Sequence, residues 1–107
     1  MNKKTIDLND KNYQEVFSKN KNVLAVFSAS WCGPCKMLAP LIDEISNIKD
    51  LNTIVAKVDV DSSPSLSSLL RVRAVPCMFY FKDGKPVEKF SQHTSRNNII
   101  QFIKNNE

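Results

Sequence analysis

Along the chain, segments whose apolar residues have the two-residue period of strands are followed by segments whose apolar residues have the longer period of helices. Five segments have the pattern of strands, at residues 5–8, 23–29, 53–60, 77–81 and 86–90. The segment at 23–29 is apolar almost throughout, which favours the centre of a parallel sheet covered on both faces. The last two segments flank Asp83 and Gly84, a tight-turn pair. They therefore predict an antiparallel hairpin, and Pro86 places its second strand at the sheet edge.

Four helices are predicted between and after these strands. They begin after Asn9 or Asp10, at Pro34, near Pro64 and after Ser95. The second helix is the longest, with apolar residues at helical spacing from 38 to 48. Together with the strands at 23–29 and 53–60 it forms a strand–helix–strand unit. The chain thus predicts one α/β domain, residues 1–107, with a mixed sheet covered by helices on both faces.

Composition and charge narrow the class of protein. Of the 107 residues, 42% are hydrophobic and 24% are charged, which is ordinary for a globular domain. No segment is apolar over the length that a signal peptide or a membrane span needs, so we expect a cytoplasmic protein without membrane association. The 15 Lys and Arg residues exceed the 11 Asp and Glu residues but are scattered, so nucleic-acid binding is not indicated.

The strongest chemical signal lies where the predicted central strand meets the longest helix. Cys32 and Cys35 stand there, separated by two residues. This spacing allows a disulfide to close and open reversibly, although it also occurs in metal sites. A zinc site would need four ligands, for which Cys77 and His93 are the further soft candidates.

The chain resembles a small thioredoxin over essentially its full length. The resemblance rests on Trp-Cys-Gly-Pro-Cys-Lys at residues 31–36 after a buried strand, on Val75 and Pro76 before another strand, and on the turn at 83–84. The order of the predicted elements also matches. The resemblance implies the thioredoxin fold, with a central mixed sheet of five strands flanked by four helices, and a cis peptide bond before Pro76.

The same resemblance implies a thiol-disulfide oxidoreductase that reduces protein disulfides. Cys32, exposed at the start of a helix that stabilises its thiolate, would be the nucleophile. Cys35, which is less accessible, would resolve the mixed disulfide and leave a Cys32–Cys35 disulfide. Gly33 and Pro34 would set the reducing power. No bound cofactor is expected, and the partners would be disulfide-containing client proteins and an electron donor of the thioredoxin reductase kind. The protein is expected to be a monomer.

Four residues are expected to bind substrate. Trp31, Val75 and Pro76 would form the docking surface, with Val75 offering its N–H and C=O to an extended substrate backbone. Gln92 stands where the family commonly has a glycine. Its side chain would narrow this surface.

The sequence departs from the family pattern beneath Cys35. Val26 occupies the position of a buried acid that helps to deprotonate the second cysteine, whereas Lys57, which pairs with that acid in many members, is retained. Lys57 is therefore expected either to extend into solvent or to be buried and tune Cys35. The alternative function is a thioredoxin-like partner-binding module whose redox activity is slow because of Val26.

Three more residues have open interpretations. Cys77 is either a small apolar strand residue or a third redox thiol. Asp59 and Asp61 are expected to solvate the end of a strand or to cap the following helix.

Overall fold

The computed structural model describes residues 5–90 and 95–107. The strands are β1 (Thr5–Asp7), β2 (Asn22–Ser28), β3 (Ile54–Asp59), β4 (Cys77–Lys82) and β5 (Lys85–Phe90). The helices are α1 (Tyr13–Lys19), α2 (Gly33–Ser46), α3 (Pro64–Leu69) and α4 (Arg96–Asn106). These elements confirm the predicted α/β class. Within the described ranges, no helix has both the length and the apolar character needed to cross a membrane.

The strands form one mixed sheet in the order β1-β3-β2-β4-β5. Its central strand, β2, runs parallel to β3 and antiparallel to β4, and β5 completes the edge as the antiparallel partner of β4. The β4–β5 turn is formed by Asp83 and Gly84, which have φ angles of 53° and 81°. Glycine adopts this left-handed region without steric cost, and aspartate tolerates it. The predicted hairpin and its place at the edge are therefore confirmed.

Successive side chains of β2 enter different cores on the two faces of the sheet. Leu24 and Val26 pack with residues of α2 and α4, whereas Val23, Ala25 and Phe27 pack with residues of α1 and α3. Strand pairing then decides which residues of β2 and β3 lie beneath α2. Val26 is in register with Lys57, and Ser28 with Asp59, so one apolar and three polar residues share the face that α2 covers. They form the floor on which the first turns of α2 rest.

The prediction that Asn9 or Asp10 caps α1 holds only in part. Oδ1 of Asn9 accepts hydrogen bonds from the backbone N–H groups of Lys11 and Asn12, at 2.9 and 3.0 Å, in the turn that leads into α1, but neither predicted residue is at the N-cap position. The N-cap residue of α1 is Asn12, whose side chain makes no capping bond. Asp10 instead accepts hydrogen bonds from the backbone N–H groups of Ser65 and Leu66, at 3.0 and 2.8 Å, and so caps α3 from a distance. Sequence spacing identifies a residue suited to capping, but not which helix it reaches.

Candidate active site

Cys32 and Cys35 form a disulfide at the N-terminus of α2. Cys32 is the N-cap with an extended backbone, and Pro34 lies in the first turn, where its missing N–H costs nothing. The Cα atoms of the two cysteines are 5.3 Å apart, and the backbone N–H of Cys35 donates to Sγ of Cys32 at 3.2 Å. One N–H of the first helical turn, that of Cys35, therefore points at the Cys32 sulfur. A donor in this position at a helix N-terminus favours a thiolate over a thiol.

Cys32 is not exposed in this disulfide state, contrary to prediction. Cys32 and Cys35 are 5% and 6% exposed, and they pack against Ala29, Val60 and Val75. Sγ of Cys32 lies 3.7 Å from the carbonyl oxygen of Val75, which is distant in sequence. The loop before β4, which contains Val75, covers the sulfur of Cys32, so the exposed fraction of the side chain does not distinguish the two cysteines. They differ in hydrogen bonding, because Sγ of Cys32 accepts a bond from the backbone N–H of Cys35.

A cis peptide bond joins Val75 and Pro76 beside the disulfide, as predicted. Next to it lies a groove of about 440 Å³, which we call the cis-proline groove. Its lining residues are Pro34, Arg71, Arg73, Ala74, Val75, Pro76, Cys77 and Lys89. Because Pro34 stands between the two cysteines in the first turn of α2, a chain seated in this groove would lie next to the redox pair.

Trp31 lies on the surface immediately before Cys32. It is 69% exposed, and its indole N–H donates to Oδ2 of Asp61 at 2.9 Å. Asp61 therefore orients the tryptophan, a role that the sequence analysis missed because the two residues belong to different loops. An exposed aromatic ring held by a hydrogen bond suits a docking surface, since its position is set before a partner arrives.

Lys57 is paired with an acid from the helix above it. Its Nζ lies 2.6 Å from Oδ1 of Asp43, and the two side chains are 35% and 30% exposed. Both alternatives predicted for Lys57 are therefore incomplete, because its ammonium group is partly exposed and also has a carboxylate partner. Asp43 stands further along α2 than Cys35, so the helix itself supplies the acid that is absent at Val26. The sequence analysis did not identify Asp43.

Cys35 lines two cavities that polar residues also line. A cavity of about 30 Å³ is lined by Cys35, Val26, Ser28 and Lys57, together with apolar residues of α2. This volume is enough for a water molecule with polar neighbours. A more open groove of about 280 Å³ is also lined by Cys35 and Ser28, and it includes Asp59. Cys35 thus borders a small space that it shares with Lys57 and a larger, more open one that it shares with Asp59.

Cys77 is a buried free thiol on β4, and it is 2% exposed. Burial raises the pKa of the Cys77 thiol, and the positive charge of Lys89 opposes this shift with a smaller effect. A raised pKa keeps the sulfur in the unreactive thiol form at neutral pH. The structure therefore favours a packing role over a third redox thiol.

We expect Cys77 to be alkylated last of the three thiols in the reduced protein. Its reaction with iodoacetamide should have a pH midpoint above the ordinary value of 9.0, because only the thiolate reacts and burial raises its pKa. Alkylation at a series of pH values, followed by mass spectrometry of the peptides, measures this. In denaturant Cys77 should react like a free cysteine. Faster alkylation of native Cys77 than of Cys35 near about pH 8 would identify it as an active thiol.

Two predicted residues, Gln92 and His93, lie outside the described residues, so their roles remain predictions. Over residues 5–90 and 95–107, no three side chains of His, Cys, Asp or Glu are placed to share a metal ion.

A cysteine pair that passes between dithiol and disulfide exchanges two electrons with another such pair. Placed at a helix N-terminus beside a docking groove, it makes this chain a thiol-disulfide oxidoreductase. The family model described as thioredoxin matches residues 4–105, and the chain belongs to the thioredoxin family.

Individual relatives agree with this assignment. A thioredoxin of Mycobacterium tuberculosis is 43% identical over 86 residues, which cover 79% of this chain and 74% of the relative. A bifunctional thioredoxin reductase/thioredoxin of Mycobacterium leprae is 42% identical over 86 residues, covering 79% of this chain and 19% of that protein. A solved structure of a mutant thioredoxin from Halobacterium salinarum has a TM-score of 0.87 at 32% identity, covering 98% of this chain and 93% of that one. The predicted fold and family are therefore confirmed.

Proposed function

We propose that this chain reduces disulfide bonds in other proteins. The observation that carries the proposal is the Cys32–Cys35 disulfide at the N-terminus of α2, next to the cis-proline groove that Pro34 and Val75 line. In the dithiol state the Cys32 thiolate attacks one client sulfur, forming a mixed disulfide and releasing the other client sulfur as a thiolate, which takes a proton from water. Deprotonated Cys35 then attacks Sγ of Cys32 and displaces the second client thiolate. Two electrons have passed to the client, and Cys32 and Cys35 are again a disulfide.

The oxidised protein must be reset by an electron donor. The relative from Mycobacterium leprae carries the name of a thioredoxin reductase and a thioredoxin together, which supports a donor of the thioredoxin reductase kind for this chain. We place this cycle in the cytoplasm, because reducing systems there keep thiols in the dithiol state. Insulin reduction in the presence of dithiothreitol tests the proposed activity. Turnover no faster than dithiothreitol alone would favour the partner-binding alternative.

The docking surface is proposed to hold an extended client segment. Val75 offers backbone groups to such a segment, as an edge strand does, while Trp31 and Pro76 flank it. Gly33 and Pro34 are proposed to tune the redox pair. A Cβ added at Gly33 would meet no atom within 4 Å, so glycine is not required there by packing.

Lys57 is proposed to favour the Cys35 thiolate. Both residues line the same small cavity, and a nearby positive charge stabilises a thiolate relative to a thiol. Asp43 holds the Lys57 ammonium at 2.6 Å and offsets part of its charge. Lys57 lines the cavity beside Cys35 and Asp43 does not, so the positive member of the pair is the one that shares this space with the thiol.

Substitutions in this pair should shift Cys35 in opposite directions. In a Cys32→Ser background, Lys57→Gln should raise the pH midpoint of Cys35 alkylation by about one unit, because the stabilising charge is lost. Asp43→Asn should lower the midpoint, because the charge of Lys57 is no longer offset. Alkylation against pH, with Cys35 identified by mass spectrometry, gives both values.

A second ion pair supplies the control for this experiment. Lys104 and Asp50 lie 4.0 Å apart and line neither space beside Cys35, so Lys104→Gln and Asp50→Asn should leave its midpoint unchanged. An increase with Asp43→Asn would contradict the electrostatic account.

A further inference from the structure

We propose that the cis-proline groove selects client segments that are acidic, an inference that rests on the proposed disulfide-reductase function. The groove is lined by three exposed cationic residues, Arg71, Arg73 and Lys89. None of the described residues lining it is acidic. Positive charge therefore accumulates on one side of the redox pair, although the charges look scattered in the sequence.

These three cations also lack acidic partners in the described part of the chain. Lys19, Lys57, Arg96 and Lys104 form ion pairs there, whereas Arg71, Arg73 and Lys89 form none. Nζ of Lys89 lies 5.7 Å from the centre of the Phe79 ring, a contact that leaves its charge unneutralised. The charges of the groove are thus available to a bound molecule.

The connection from α3 places two of these cations next to the docking residues. Its turn is closed by hydrogen bonds from Arg71 N–H to the Ser68 carbonyl and from Val72 N–H to the Ser67 carbonyl, at 3.0 and 2.9 Å. Arg71 has a φ of 56°, in the left-handed region where glycine is favoured at the end of a helix. The chain thus has an arginine at a position where glycine would be less strained, and that arginine lines the groove.

An extended acidic peptide fits this arrangement. When its backbone lies along Val75, every second side chain points the same way, at intervals of about 7 Å. Carboxylates at such positions would face the groove, and arginine binds a carboxylate through two parallel hydrogen bonds. Nucleic acid is also anionic, but the reaction requires a disulfide, which a protein client supplies.

Charge complementarity of this kind acts mainly on the rate of association and weakens with salt. Three peptides with the same intramolecular disulfide, flanked by Glu, Gln or Lys, test the proposal on the unaltered protein. At low ionic strength the Glu peptide should be reduced about tenfold faster than the Lys peptide, a moderate steering effect. In roughly 1 M salt, where charges are screened beyond about 3 Å, the two rates should converge.

Matched variants separate the groove from the net charge of the protein. Arg71→Gln, Arg73→Gln and Lys89→Gln together should abolish the preference for the Glu peptide. The control combines Lys11→Gln, Lys49→Gln and Lys85→Gln, which removes the same charge from exposed positions that do not line the groove. This control should retain most of the preference.

The outcomes distinguish the two levels of the proposal. Equal rates for the Glu and Lys peptides with the unaltered protein at low salt would overturn the acidic selectivity while leaving the reductase function intact. Equal losses of preference in both triple variants would also overturn it, because net charge would then explain the effect. Failure to reduce even the Gln peptide would contradict the proposed function itself.

Discussion

Replacing Cys32 with serine should reduce insulin reduction to the background rate of dithiothreitol alone. A serine hydroxyl remains protonated at neutral pH and cannot form a mixed disulfide, so the first step of the exchange is lost. The insulin-reduction assay, followed by the turbidity of the precipitating insulin chains, measures the variant beside the unaltered chain. The change exchanges one sulfur for an oxygen at the N-cap of α2, where serine is itself a favoured residue. The helix should therefore persist, and circular dichroism provides that control.

Turnover that survives Cys32→Ser would contradict the assignment of Cys32 as the nucleophile. If Cys35→Ser then abolished turnover, the roles of the two cysteines would be exchanged.

Replacing Cys35 with serine should convert the protein into a covalent trap. Cys32 still attacks the client, but no neighbouring thiol displaces it, so the mixed disulfide accumulates toward one client per protein molecule. A non-reducing gel shows the adduct as a shifted band, and dithiothreitol should release it. The double variant Cys32→Ser/Cys35→Ser is the control and should form no adduct at the active site.

The trap also tests Cys77. If Cys77 could resolve the mixed disulfide, the Cys35→Ser variant would release its client without an added thiol, and the adduct would not accumulate. The buried position of Cys77 and the raised pKa of its thiol predict that the adduct persists. Spontaneous release would contradict that account and restore Cys77 as a redox thiol.

Much of the fold could be predicted because its signals are local. A nearly continuous apolar run indicates β2, apolar residues at helical spacing indicate α2, and the turn residues Asp83 and Gly84 indicate the hairpin. The position of the cysteine pair also follows, since a helix must begin near Pro34 after a buried strand. These properties depend on backbone preferences within a few residues.

The predictions that the structure corrects concern contacts between residues that are distant in sequence. Asp10 has the right chemistry for a helix cap, but sheet packing decides that it caps α3. The covering of Cys32 by Val75 likewise depends on how the loop before β4 packs against α2.

The contacts of the residues beneath Cys35 could not be predicted for the same reason. The sequence singles out Lys57 because Val26 replaces the acid with which this lysine usually pairs. Its actual partner, Asp43, comes from the adjacent helix. Periodicity places Asp43 next to the buried face of α2, but it does not specify the residue of β3 that it contacts. The three cations of the cis-proline groove were missed for a related reason, since β5 brings Lys89 to the loop that carries Arg71 and Arg73.

The most direct test of the reductase function is a redox titration followed by the fluorescence of Trp31. This residue is the only tryptophan, and it adjoins Cys32, so its emission should change when the disulfide opens. We expect one reversible two-electron transition, with a slope of about 30 mV per tenfold change in ratio and a midpoint near the roughly −270 mV known for thioredoxin. A midpoint above about −180 mV, in the range of disulfide isomerases and oxidants, would contradict a reductase, as would the absence of any transition.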